Sequence, residues 1–188
     1  MIRLFSALAL PGDAAERLEG LQTDLEGRLV PRENLHVTLV FYGEVPEPVA
    51  EDLDAALSEI DAPGFDLWLD GVDAFGGAKP RAIYAAVRPE PALDRLQAKA
   101  AQAGRRAGLT LGAQRYTPHV TLSRYAPGAL SPKVAAKRLA ARAAFLAGPI
   151  PVRAFGLYAS DLGRNGPIYT ELARYPLRGA AETSDRDR

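Results

Sequence analysis

Residues 2–9, IRLFSALA, form a mostly apolar run that suits a buried first strand. Asp13 is placed to cap a helix, and Leu18, Leu21 and Leu25 then recur at helical spacing to about residue 28. LHVTLVFYG (35–43) reads as a strand closed by Gly43. PEPVAEDLDAALSEI (46–60) puts Val49, Leu53 and Leu57 on one helical face. FDLWLDGVDAF (65–75) and RAIYAAVRP (81–89) alternate as strands around the loop GGAKP. The order then repeats loosely. PALDRLQAKAAQAGRRAG (91–108) is helical and HVTLSRY (119–125) is a strand. SPKVAAKRLAARAAFLAG (131–148) is a helix shorter or more broken than its alanines suggest. IPVRAFGLYASDL (150–162) and PIYTELARYPL (167–177) are strands around the turn GRNGP. No Pro-, Gly- or Ser-rich linker separates the halves, so the pattern predicts one α+β domain of two pseudo-symmetric lobes over residues 1–178. The polar end, residues 179–188, is expected to be a frayed tail.

Composition narrows the chemistry. The chain has 188 residues, 47% hydrophobic, with 23 basic against 23 acidic side chains and no formal net charge. Bulk attraction to long nucleic acid is not indicated, although a local basic cleft is compatible with neutrality. The absence of cysteine removes disulfides, thiolate nucleophiles and thiolate metal sites, and suits a reducing cytoplasm. The apolar start is too short to span a membrane, and Pro11, Gly12 and Asp13 follow too soon for a signal peptide.

The two histidines of the chain sit in the same tetrapeptide, His-Val-Thr-Leu, at 36–39 and 119–122. On a strand, side chains alternate between faces. His36 and Thr38 then share one face, His119 and Thr121 another, and the Val/Leu pairs face the core. Pseudo-symmetric lobes would bring two imidazoles and two hydroxyls to one groove. With an ordinary pKa of about 6.5, one imidazole can be neutral and the other charged near neutrality, as general base and general acid. The hydroxyls can donate to a phosphate oxygen. A solvated strand face is the bland alternative, and the exclusive placement of both histidines weighs against it.

The paired motifs, with RLFSALALP, VPRENLHVTLVFYGEV, YTPHVTLSRY and LYASDLGRNGPIYTELARYPL, resemble the 2H phosphoesterase superfamily, and within it the RNA 2′,3′-cyclic phosphodiesterases also called 2′-5′ RNA ligases. The resemblance spans Arg3 to Leu177. It implies two antiparallel sheets around a central cleft with helices outside. It also implies metal-independent, cofactor-free hydrolysis of a terminal 2′,3′-cyclic phosphate on RNA to a 2′-phosphomonoester. By the family pattern His119 is the general base and His36 the general acid, while Thr38 and Thr121 bind phosphate. Rivals are 2′-5′ ligation, a small cyclic nucleotide as substrate, or an RNA-end binding module without turnover.

The remaining candidates are weaker. Arg124 is an odd offset from His119, so it reaches the phosphate only if the strand bulges or ends there. Tyr42 shares the face of His36 in a regular strand and is the expected base-stacking residue, whereas Phe41 falls on the core face. Tyr84, Lys79 and Arg81 are candidate RNA contacts, and Arg115 precedes the second motif. Trp68 is expected to pack in the core. Gly43, Gly76 and Gly77 are turn glycines. Two histidines with no cysteine and no adjacent carboxylate pair make a poor zinc site. A monomer is the expected state.

Overall fold

The structure is a computed structural model that describes residues 1–113, 115–163 and 166–179. The chain begins β1 (Ile2–Ala9), α1 (Gly12–Gln22), β2 (Arg28–Leu29), a 3-10 turn (Arg32–Asn34), β3 (His36–Val45), α2 (Glu47–Ser58), β4 (Phe65–Phe75) and β5 (Ala82–Val87). It continues α3 (Pro91–Arg106), β6 (His119–Arg124), α4 (Pro132–Ala140), β7 (Leu146–Val152), β8 (Ala154–Gly163) and β9 (Gly166–Pro176). The predicted α+β class with two antiparallel sheets is what forms. One sheet has the order β3-β1-β8-β9 and the other β2-β6-β5-β4-β7. The reading of 179–188 as a tail falls, apart from Gly179, outside the described residues, as do Arg164 and Asn165 of the GRNGP turn.

The lobes are not the two halves of the chain. Four strands correspond in order, β3-β1-β8-β9 against β6-β5-β4-β7. The hairpin β4–β5 from the first half completes the sheet of the second motif, and β8–β9 from the second half completes the sheet of the first. The exchange runs through IPVRAFGLYASDL, expected as one strand. It is two strands in different sheets: Val152 pairs with Phe65 in one, and Ala154 with Pro176 in the other, with Arg153 between them. Both pieces carry apolar residues, so periodicity alone does not reveal the break.

Helices cover the outer faces. α1 packs on β6 and β7, α4 on β4, and α2 and α3 on each other and on β9 and β3. α2 presents Leu53 and Leu57 fully buried, each contributing about 1.5–3 kcal/mol by burial. α1 ends earlier than its leucine spacing suggests, and Pro11 rather than Asp13 occupies the cap position. Asp24 (φ 63°) and Gly27 (φ 89°) adopt left-handed backbone that a helix cannot continue, and Leu25 enters the core from the loop. Buried Gln22 at the end of α1 donates from Nε2 to the carbonyls of Val30 (2.7 Å) and Leu122 (2.9 Å), tying the helix to both motif regions. Among the described residues no helix is long and apolar enough to cross a membrane.

Candidate active site

The histidines come from β3 and β6, facing strands of the two sheets, and line one cleft of about 920 Å³. Along β3, Val37 and Leu39 are buried while His36 and Thr38 are half-buried toward the cleft. β6 repeats this with Val120 and Leu122 beneath His119 and Thr121. The alternation predicted for each motif is therefore observed.

Beyond each motif the alternation breaks at the same place. On β3, Thr38 pairs with Ala7 and Val40 with Ser6, leaving Leu39 as an extra residue. On β6, Thr121 pairs with Tyr84 and Ser123 with Ile83, leaving Leu122 extra. Each is a β-bulge, which inverts the facing of the residues immediately after it, up to a second irregularity at Tyr42 on β3. Arg124 is thereby returned to the histidine face and lines the cleft. By the same inversion Phe41, not Tyr42, comes to the cleft: Phe41 is 66% exposed and Tyr42 is 6% exposed. Tyr42 is in the core, its hydroxyl sharing a hydrogen bond with Ser6 Oγ at 3.0 Å, so base contact is not available to it.

Each imidazole is held the same way. Nδ1 of His36 donates to the carbonyl of Asn34 at 2.7 Å, and Nδ1 of His119 to the carbonyl of Thr117 at 2.7 Å. A carbonyl only accepts, so Nδ1 carries a proton in both rings and Nε2 is the nitrogen left for chemistry. Asn34 is itself fixed by a 2.9 Å bond from its Nδ2 to the Pro167 carbonyl on β9. Nε2 of His36 lies 2.9 Å from Thr38 Oγ1. Tyr116, in the segment before β6, crosses the cleft and donates to the Thr38 carbonyl at 3.1 Å.

Aromatic rings collar both imidazoles. Phe5 and Tyr169 contact His36 at 5.2 and 5.4 Å between centroids. Phe75 and Tyr84 contact His119 at 4.7 and 5.2 Å. These rings desolvate the site. Burial pushes His36 down to about 4, against the Asn34 carbonyl, with help from the charges of His119 and Arg124. Burial also lowers His119, opposed by the Thr117 carbonyl and aided by Arg124. Both imidazoles are thus pushed toward the neutral form.

Not every expected contact reaches the cleft. Tyr84 is buried, stacked on Phe75 at 4.2 Å, and supports His119 from behind instead of meeting substrate. Tyr84→Phe keeps that ring, so KM should be unchanged in steady-state kinetics; a raised KM would restore a direct contact. Lys79 and Arg81 are exposed at the β4–β5 turn and do not line the cleft. Arg115 does line it. Trp68 is only half-buried, with the Arg88 guanidinium 5.5 Å above its ring. Phe5, Phe75, Tyr116, Tyr169, Arg28 and Arg105 went unrecognised in the sequence. Their only common sequence signal is aromatic or basic character, which most residues of those types share without any site. Among the described residues no three His, Cys, Asp or Glu side chains gather to hold a metal ion.

The profile of the 2′-5′ RNA ligase superfamily matches residues 10–164. An RNA 2′,3′-cyclic phosphodiesterase of Archaeoglobus fulgidus is 31% identical over 177 residues, covering 91% of this chain and 98% of that protein. One of Thermus thermophilus is 34% identical over 198 residues, covering 95% and 91%. The crystal structure of Escherichia coli LigT complexed with 3′-AMP superposes with a TM-score of 0.78 at 29% identity, covering 94% of this chain and 98% of that one. The paired bulged strands, the matched histidine anchors and these likenesses over nearly the whole length lead to one conclusion: this chain belongs to the 2′-5′ RNA ligase superfamily.

Proposed function

We propose that this protein hydrolyses terminal 2′,3′-cyclic phosphates of RNA to 2′-phosphomonoesters, using its two histidines and no metal or cofactor. The observation that carries the proposal is the pair of imidazoles in one cleft, each anchored through Nδ1 to a main-chain carbonyl. His119 Nε2 takes a proton from water as its oxygen attacks phosphorus. The P–O3′ bond breaks, and Nε2–H of His36 gives its proton to the departing 3′ oxygen. Thr38, Thr121 and Arg124 receive the phosphate oxygens, whose charge grows as water adds. Thr38 Oγ1, now bonded to His36, exchanges that partner for the phosphate. The bound anion raises the pKa of the acid histidine and charges it. A cytoplasmic, monomeric enzyme formed by residues 1–178 is part of the same proposal.

A second reading exchanges the roles, because the stronger burial effect falls on His36 and keeps it neutral, as a base must be. The pH profile tests the shared premise. kcat/KM reports the free enzyme, where both imidazoles are pushed below the ordinary value. It should be bell-shaped with its maximum below about 6.5. The maximum of kcat should lie at higher pH, since bound phosphate favours the imidazolium. A kcat/KM rising monotonically to pH 9 would remove the acid histidine.

The decisive assay uses a short RNA ending in 2′,3′-cyclic phosphate in excess EDTA, with the product's phosphate position assigned by NMR. Conversion to the 2′-phosphate is expected. A 3′-phosphate product would overturn the regiochemistry, and loss of rate with chelator the metal-free mechanism. Binding without turnover would leave an RNA-end binding module.

A further inference from the structure

Ser6 and Ser123 are fully buried, and each bonds to a tyrosine hydroxyl beside a motif bulge. Tyr42 and Tyr125 both stand six residues after their histidine, so the repeat extends to His-Val-Thr-Leu-x-x-Tyr. Both are core residues, 6% and 8% exposed. Neither lines the cleft, and the mechanism above uses neither.

The two hydroxyls are held alike. Ser123 Oγ donates to the Tyr125 hydroxyl at 3.0 Å, and Arg138 Nη1 of α4 donates to the same oxygen at 3.2 Å. Tyr42 donates to the Ala100 carbonyl of α3 at 3.3 Å, so it accepts from Ser6 Oγ at 3.0 Å. Each ring lies against a glycine. A Cβ at Gly27 would come within 2.8 Å of Tyr125 Cε1, and one at Gly104 within 2.8 Å of Tyr42 Cε1.

Each serine meets its tyrosine across one residue. Ser123 and Tyr125 stand two apart on the core side, and their bond straddles Arg124. Ser6 is the cross-strand partner of Val40, so its diagonal bond to Tyr42 straddles Phe41. Arg124 and Phe41 are the residues that the bulges bring to the cleft. β6 ends at Arg124, so the hydroxyl bond adds restraint where the ladder stops. Opening it would leave the buried Ser123 Oγ unpartnered, a penalty that favours the bulged arrangement.

We propose that Tyr125 is a positioning residue: its hydroxyl, latched to Ser123 and Arg138, holds Arg124 on the cleft face to meet phosphate. Tyr42 does the same for Phe41 in the other sheet. This rests on the phosphate-binding role given to Arg124 in the reading above.

Calorimetry with inorganic phosphate tests it. Arg124→Ala should weaken binding by at least about tenfold, the worth of a hydrogen bond to a charged group. Tyr125→Phe keeps the ring and should weaken binding about threefold, and Ser123→Ala likewise, the size of coupling between residues in contact. In the Arg124→Ala protein, Tyr125→Phe should cost nothing further. Tyr42→Phe removes the matching hydroxyl and should leave phosphate affinity unchanged, which separates positioning from general loosening. Equal losses from Tyr125→Phe with and without Arg124 would overturn the proposal, as would unaltered affinity in both Tyr125→Phe and Ser123→Ala. If phosphate does not bind, or binds Arg124→Ala as well as the unmodified protein, the role given to Arg124 has failed instead. Crystal structures of Tyr125→Phe and the unmodified protein then still decide the latch: Arg124 unmoved on the cleft face would remove it.

Discussion

Alanine at His119 or His36 should reduce turnover of a cyclic-phosphate RNA by about 10²–10⁴ each, the usual worth of a positioned acid or base. Affinity should change little, because in the proposed mechanism Arg124 and both threonine hydroxyls, which line the cleft, remain to hold the phosphate. The two variants become distinguishable with a 3′-thio substrate. A departing thiolate needs no proton, so the variant lacking the acid should recover most of its rate, whereas the one lacking the base should not. Recovery by His36→Ala fixes His36 as the acid. Recovery by His119→Ala exchanges the roles, in keeping with the strong depression of His36. Near-normal turnover of either variant on the natural linkage would discard two-histidine catalysis.

Valine at Thr121 should cost about 10²–10³ in kcat, the size found when one donor to a developing oxyanion is removed. The exchange preserves shape and deletes only the hydroxyl. Thr38→Val should lose a similar factor and also alter the pH profile. Thr38 Oγ1 lies 2.9 Å from His36 Nε2, so its removal takes away that nitrogen's hydrogen-bond partner. For Thr121 no hydrogen bond to His119 occurs among the described residues, so its valine variant should keep the wild-type profile. Identical profiles for the two variants would mean that the Thr38–His36 bond plays no part in tuning the acid or base.

The motif itself was legible because it is local. Four alternating residues on a strand define which side chains share a face, and both copies behave so. What lay one step further was not. A bulge is set by pairing with a neighbouring strand, β1 for one motif and β5 for the other, so it leaves no trace in the motif's own spacing. Hence simple alternation puts Tyr42 on the His36 face and Phe41 on the core face, the reverse of what forms, and places Arg124 only conditionally. The same limit hid the exchange at Arg153, where two short apolar segments read as one strand. Element existence followed from periodicity, while sheet membership followed from partners far away in the chain.

That distance has a consequence for synthesis. β1 lies between β3 and β8, and its second ladder joins Leu4 to Ala159. During translation the first strand can pair on one side early, but its other edge stays open until residues 154–163 have left the ribosome. The second sheet likewise waits for β7 to cover β4. Contacts so far apart in sequence make folding slow, and open edges invite pairing with other chains. The interleaving that sets the two histidine-bearing strands face to face thus leaves sheet edges of the nascent chain unpaired until its last strands are made.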